Sequence, residues 1–289
     1  MSSALLVLAM GCSDGTQALP PDAPGQDAGI DSGTGGAYRK TVRVSYNGTD
    51  VDVVVDKPAN DEVDVLVVYH GSVWFDDKIM ESTNSVLDAF KRVLTRKDMM
   101  IVSVGYPEQD MLIGDNIAQA EAGLLWVQNT ASSALGITVK KVFLGGHSQG
   151  GYIVTRLNGM HRTDGVVANG AGPLDLVYRC GLEDSGALPS GVYCAAMRRA
   201  YGTTTANPQG YAARSLLNFT QGFKAPTLFV QGENDTDIQM HSWPTFKNQV
   251  TACTGCAPST FLDLPGVGHA ALFESASAAT AFNAFLASH

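Results

Sequence analysis

Val142-Phe143-Leu144-Gly145-Gly146-His147-Ser148-Gln149-Gly150-Gly151 is the stretch on which the reading of this chain turns. Its first half belongs to Lys141 to Gly145, a short apolar run of the kind that forms a strand covered on both faces. Its second half fits G-x-S-x-G and runs into a helix-like stretch, Gln149 to Met160. Small residues at Gly146, Gly150 and Gly151 let the backbone turn sharply, push the Ser148 hydroxyl outward and let the next helix pack close to the strand. Ser148 is therefore a candidate nucleophile. A serine hydroxyl reacts poorly near neutral pH, so the chain must also supply an imidazole to take its proton and an acid to orient that imidazole.

Both follow in order. Thr227 to Val230 is an apolar run leading into Gln231-Gly232-Glu233-Asn234-Asp235, and Thr260 to Leu264 leads into Pro265-Gly266-Val267-Gly268-His269. An acid and then a histidine, each just past a strand, make Asp235 and His269 the expected partners of Ser148. Asp237 competes with Asp235 from the same loop, and the Gly-x-x-Asp spacing from Gly232 favours Asp235. His70, His147, His161, His241 and His289 are alternatives to His269 by residue type alone; His70 and His147 are expected to shape the site rather than act as base.

Working outward, Arg39 to Ser45 and Asp50 to Asp56 alternate apolar and polar residues across Asn47-Gly48, a two-residue hairpin signal. Val63 to Tyr69, Met99 to Val104 and Gly165 to Ala168 are further apolar runs that suit buried parallel strands. Helix-like stretches lie at about 77–97, 114–134, 149–160, 240–251 and 271–287. The body, residues 38–289, thus reads as a doubly wound α/β domain: about eight mostly parallel strands, an antiparallel N-terminal hairpin and helices on both faces. Residues 171–223 interrupt the alternation and carry Tyr178, Tyr193, Tyr201, Tyr211 and two cysteines, which predicts a small lid over the strand ends.

Tyr69-His70-Gly71-Ser72, Gly146 to Gly151, Gly232 to Asp235 and Gly266 to His269 together resemble the α/β-hydrolases of the dienelactone hydrolase, polyester depolymerase and prolyl-oligopeptidase-like group. The resemblance spans nearly the whole body. It implies a Ser148-His269-Asp235 triad, an oxyanion hole from the backbone N–H groups of Ser72 and Gln149, no cofactor, and an ester substrate, small or polymeric. Trp74, Tyr178, Trp243 and Phe273 are candidates to line an apolar acyl pocket. A prolyl-oligopeptidase-like peptidase is the second reading, from Tyr211-Ala-Ala-Arg-Ser215 ahead of Lys224-Ala-Pro-Thr-Leu228. A catalytically inactive, surface-tethered binding protein is the third.

The first 37 residues differ in kind. Ala4 to Met10 is a short apolar run ending at Gly11-Cys12, which resembles a bacterial lipoprotein signal with Cys12 as the lipidated residue. Residues 13–37 contain Asp14, Asp22, Asp27 and Asp31, no Lys or Arg, and many Gly and Pro, so the segment reads as a disordered acidic linker. The expectation is an exported protein, either secreted or held to the cell envelope by that lipid. Without Cys12, four cysteines remain; of three pairings, proximity favours Cys180–Cys194 and Cys253–Cys256. A redox or zinc role for Cys253-Thr-Gly-Cys256 is the rival, but no second ligand pair is evident. A net charge of -9 with charged residues at 16% of the chain offers no basic footprint for nucleic acid. No phosphate loop or H-E-x-x-H helix occurs, so no metal or nucleotide site is expected.

Overall fold

The computed structural model describes residues 36–108 and 111–289, so Cys12 and nearly all of the expected leader and linker lie outside the described residues. Eight strands form one sheet in the order β1-β2-β4-β3-β5-β6-β7-β8. They are β1 (Tyr38–Tyr46), β2 (Thr49–Lys57), β3 (Glu62–Tyr69), β4 (Met100–Val104), β5 (Thr138–His147), β6 (Gly165–Asn169), β7 (Thr227–Gly232) and β8 (Ser259–Leu264). β1 and β2 pair antiparallel across Asn47 and Gly48, both at positive φ (50° and 78°), as a tight hairpin turn requires. β2 also meets β4 antiparallel, and from β4 through β8 all pairings are parallel.

Nine helices occur among the described residues: α1 (Ile79–Val93), α2 (Ile117–Asn129), α3 (Ala131–Leu135), α4 (Gln149–Met160), α5 (Leu176–Asp184), α6 (Val192–Tyr201), α7 (Pro208–Ala212), α8 (Asp237–Thr251) and α9 (Ala276–Ser288). Period-two alternation divides the strand side chains between two cores. Val65, Val67 and Tyr69 join a cluster with residues of α2, α4 and α8, whereas Leu66 and Val68 join one with α1 and α9. Burial on both faces is what the apolar runs of β3 and β4 required. None of the helices is long and apolar enough to cross a membrane.

Helix boundaries shift from the sequence expectation for local reasons. The 77–97 helix begins as a 3₁₀ turn at Asp76–Lys78 and ends at Val93, because Leu94 is extended. The 114–134 stretch breaks at Thr130 into α2 and α3. α8 starts three residues early, at Asp237, where the Thr236 side chain accepts from the Gln239 N–H. The 271–287 helix is a 3₁₀ segment, His269–Glu274, then α9, separated by an extended Ser275 whose side chain caps Ala278. Residues 171–223, expected as a small lid, hold α5, α6 and α7.

The turn between β5 and α4 depends on two backbone approaches. A Cβ at Gly150 would overlap the Tyr69 carbonyl, and one at Gly146 would overlap the Gly150 carbonyl. Both obstacles are backbone atoms of packed elements and have nowhere to move. Gly150→Ala is therefore expected to destabilise the protein by at least about 4 kcal/mol, or to prevent folding, as read by urea unfolding. Gly159→Ala is the control: a Cβ there lies 3.8 Å from its only near neighbour, the Gln221 carbonyl.

Candidate active site

Ser148 occupies the turn at φ 58° and ψ -118°, a region that non-glycine residues rarely adopt. The turn is held on both sides: Ser148 N–H donates to Asn169 O (2.9 Å), and Ser148 O accepts from Tyr152 N–H (3.1 Å) and Gly172 N–H (3.2 Å). Gln149 follows as the first residue of α4, where a helix leaves its N–H groups without internal partners. The loop after β3 lies against the same point, since a Cβ on Gly71 would sit 3.4 Å from Ser148 Cβ. Ser72, Ser148 and Gln149 thus converge from the carboxyl ends of β3 and β5.

Asp235 and His269 arrive from the ends of β7 and β8. The His269 Nδ1–H donates to Asp235 Oδ2 at 2.7 Å, which leaves Nε2 as the ring nitrogen not engaged by the acid. Asp235 is fixed by two further donors, Gln231 Nε2 to Oδ2 (2.8 Å) and Thr236 N–H to Oδ1 (2.7 Å). Burial by itself would raise the Asp235 pKa, but the hydrogen bonds from His269 and Gln231 outweigh it, and the carboxyl sits below its ordinary value. Asp237 opens α8 as an exposed residue and takes no part. Ser148, Asp235 and His269 line one cleft of ≈ 230 Å³ together with Ser72, Tyr193 and Arg179. Ser148 Oγ has no direct hydrogen bond to the imidazole among the described residues, a contact that catalytic sites often tighten only around substrate.

The segment 171–223 reaches this cleft through Tyr193, which the sequence presented only as one of several tyrosines. Its hydroxyl donates to Gln149 Oε1 (2.7 Å) and hydrogen-bonds Ser72 Oγ, tying together the two residues named for the oxyanion hole. Burial keeps this phenol well above its ordinary pKa, so it stays protonated. The following residue, Cys194, is bonded to Cys180 with a Cα–Cα separation of 5.3 Å, and Cys253 is bonded to Cys256. The adjacency of Tyr193 to a cysteine was the one signal that pointed to it.

The four aromatic candidates fare unequally. Trp74 is exposed and packs edge-on to Tyr193 with ring centroids 4.4 Å apart, without itself lining the cleft. Phe273 packs on His147 and, with His70, Ser72 and Val86, lines a second groove of ≈ 310 Å³. Trp243 must be corrected: it is 2% exposed in the core, donates to Asp263 Oδ1 and stacks on Phe246, because its position on α8 faces the sheet. Tyr178 must be corrected too, since its ring stacks on His241 at 3.7 Å and does not line the cleft. Tyr211 and Arg214, from the peptidase-like motif, hold the cap in place, with Tyr211 Oη donating to Gly202 O inside it and Arg214 tying it to Ile113 O and Asp115 of the body. The described residues contain no cluster of three or more His, Cys, Asp and Glu able to hold a metal.

A family model described as an alpha/beta hydrolase fold matches residues 66–236. No curated protein sequence matches the chain significantly. Among solved structures, the chain is similar to Est1E from Butyrivibrio proteoclasticus (TM-score 0.62, 13% identity, covering 86% of this chain and 98% of that one). It is also similar to a hyperthermophilic esterase from Pyrobaculum calidifontis (0.64, 15%, 90% and 87%) and to a truncated carbohydrate esterase from gut microbiota (0.64, 16%, 88% and 99%).

Two further histidines make stability depend on pH. His70 is buried and stacked on Tyr106; it donates from Nδ1 to Gly71 O, and burial first of all lowers its pKa to about 4. His147 packs against His269 and is lowered to about 4, by burial and then by the neighbouring imidazole. Both are neutral when folded and bind protons more readily when unfolded. Their contribution is fully present above about pH 6.5 and is lost as pH falls towards 4, on the order of 3 kcal/mol for His70. Melting temperature should drop steeply over that window, and His147→Gln should flatten the slope.

Proposed function

The chain belongs to the alpha/beta hydrolase fold family, and from that premise we propose that it is a serine hydrolase of carboxylic esters acting through an acyl-enzyme. The observation that carries the proposal is the His269–Asp235 hydrogen bond, which joins residues 34 positions apart at the ends of adjacent strands beside the Ser148 turn. Esterase names on the structural neighbours support the same class.

In the proposed reaction Ser148 Oγ attacks the ester carbonyl while His269 Nε2 takes its proton. Asp235 holds the imidazole in the required tautomer and stabilises the imidazolium. The carbonyl oxygen becomes an oxyanion that accepts from the backbone N–H groups of Gln149 and Ser72. Collapse breaks the bond to the alcohol, which leaves with the proton from His269, and water then releases the acid by the same steps in reverse roles. Two disulfides in the body suit an oxidising compartment, which supports the export proposed from Met1 to Cys12.

Ser148→Ala should lower p-nitrophenyl ester hydrolysis at least about a thousandfold with little change in melting temperature. Asp235→Asn should cost about a thousandfold in kcat and Asp237→Asn less than about tenfold. Retained activity in Ser148→Ala, or the opposite ranking of the two acids, would overturn the assignment. Tyr193→Phe removes the hydroxyl that ties Ser72 to Gln149; kcat should fall about tenfold with a smaller change in KM.

A further inference from the structure

Most cations of the body with a defined environment are engaged by acids or carbonyls. Arg39 bonds Asp56 and Asp88, Arg96 bonds Asp64 and Asp98, Arg198 bonds Asp184, and Arg214 bonds Asp115 and Ile113 O. Arg179 differs. It stands on α5 and lines the cleft that holds Ser148 and His269. Among the described residues its guanidinium makes no hydrogen bond, and its Nε is shut off from solvent without a hydrogen-bond partner. The nearest acid, Glu183, keeps Oε1 at 3.8 Å from Nε, beyond hydrogen-bond distance, while its Oε2 accepts from the Gly191 N–H at 2.9 Å. Glu183 therefore pairs only loosely with Arg179, whose terminal nitrogens make no hydrogen bond among the described residues.

The position of this cation is fixed by the same crosslink that fixes Tyr193. Arg179 precedes Cys180 and Tyr193 precedes Cys194, so one disulfide anchors both cleft residues at their neighbours. The Arg179 guanidinium carbon lies 5.8 Å from the Tyr193 ring centroid, and the hydroxyl of that ring reaches Ser72 and Gln149. The cation thus stands over the same ring whose hydroxyl joins the two residues named for the oxyanion hole. A planar guanidinium matches a carboxylate in charge and in fork geometry. A single guanidinium with Glu183 and Asp235 nearby suits a monoanion better than a dianion.

Resting on the ester-hydrolase reading, we propose that Arg179 is a specificity-determining residue that selects esters bearing a carboxylate, held about one six-membered ring or four carbons from the scissile carbonyl. The carboxylate enters as a spectator and no bond to it is made or broken. Its pairing with Arg179 positions the ester carbonyl over Ser148.

Two matched pairs of esters test this: 4-acetoxybenzoate against 4-acetoxybenzamide, with the charge on the alcohol side, and monomethyl adipate against methyl hexanoate, with the charge on the acyl side. In the wild type, kcat/KM for the anionic member of at least one pair should exceed that of its neutral partner about tenfold or more, mainly through KM, and the ratio should shrink as ionic strength rises. Arg179→Gln should bring that ratio to about one, and Arg179→Lys should keep part of it. A merely structural arginine would lower both members equally and leave the ratio unchanged. Should the variants fail to fold, titration calorimetry of 4-acetoxybenzoate and 4-acetoxybenzamide into Ser148→Ala protein reads the same preference without turnover. Equal binding there, or a ratio near one in both pairs for the wild type, would overturn the carboxylate site while leaving Ser148-dependent hydrolysis of neutral esters standing. A wild type that binds the benzoate preferentially but hydrolyses no ester would overturn the ester reading alone.

Discussion

At φ 58° the backbone of Ser148 is in a conformation that costs on the order of 1–3 kcal/mol, and it persists only because its surroundings allow no other path. The start of α4 lies so close to the end of β3 that Gly150 meets the Tyr69 carbonyl with no room for a side chain, and Gly146 meets Gly150 in the same way. The Asn169 carbonyl and the Gly172 N–H grip the turn from the far side. Everything else at the cleft is placed relative to that turn. The loop after β3 approaches through Gly71, the free end of α4 presents Gln149, and the loops after β7 and β8 bring an acid and an imidazole to the same edge of the sheet. Strand order explains the common edge, because β3 lies between β4 and β5, so the chain reverses its direction of travel across the sheet there and opens a crevice at the carboxyl ends.

Electrostatics at the cleft divide between groups kept neutral and groups kept charged. His70 and His147 are enclosed by aromatic rings and backbone, which hold them uncharged near neutral pH. Asp235 is enclosed as well, but three donors compensate its burial, so it remains a carboxylate facing His269. The cap contributes the opposing charge in Arg179 and a neutral donor in Tyr193.

Much of this was legible from local pattern. The continuous apolar runs, the Asn47-Gly48 hairpin and the glycine-flanked Ser148 each act over a few residues, and the strands and the turn stand where those patterns put them. Helix ends were less legible because side-chain caps decide them: Thr236 extends α8 backwards and Ser275 splits the last helix from a 3₁₀ segment. Trp243 was misplaced for a different reason. Its indole suits a pocket or a core equally well, and only the packing of α8 on the sheet and a partner at Asp263 choose between them.

The sequence by itself determined the doubly wound order of strands and helices and the strained turn at Ser148, because these follow from hydrophobic period and from where glycine alone fits. It also determined the chain order of Ser148, Asp235 and His269. Only the tertiary structure decided that Asp235 rather than Asp237 meets His269, that Tyr193 links Ser72 to Gln149, and that Arg179 lines the cleft without a hydrogen bond among the described residues. Those outcomes depend on distances between segments 34 to 121 residues apart in the chain, set by how β7 and β8 pair and how a disulfide-bonded cap rests on the sheet. No local pattern of residue types encodes such distances.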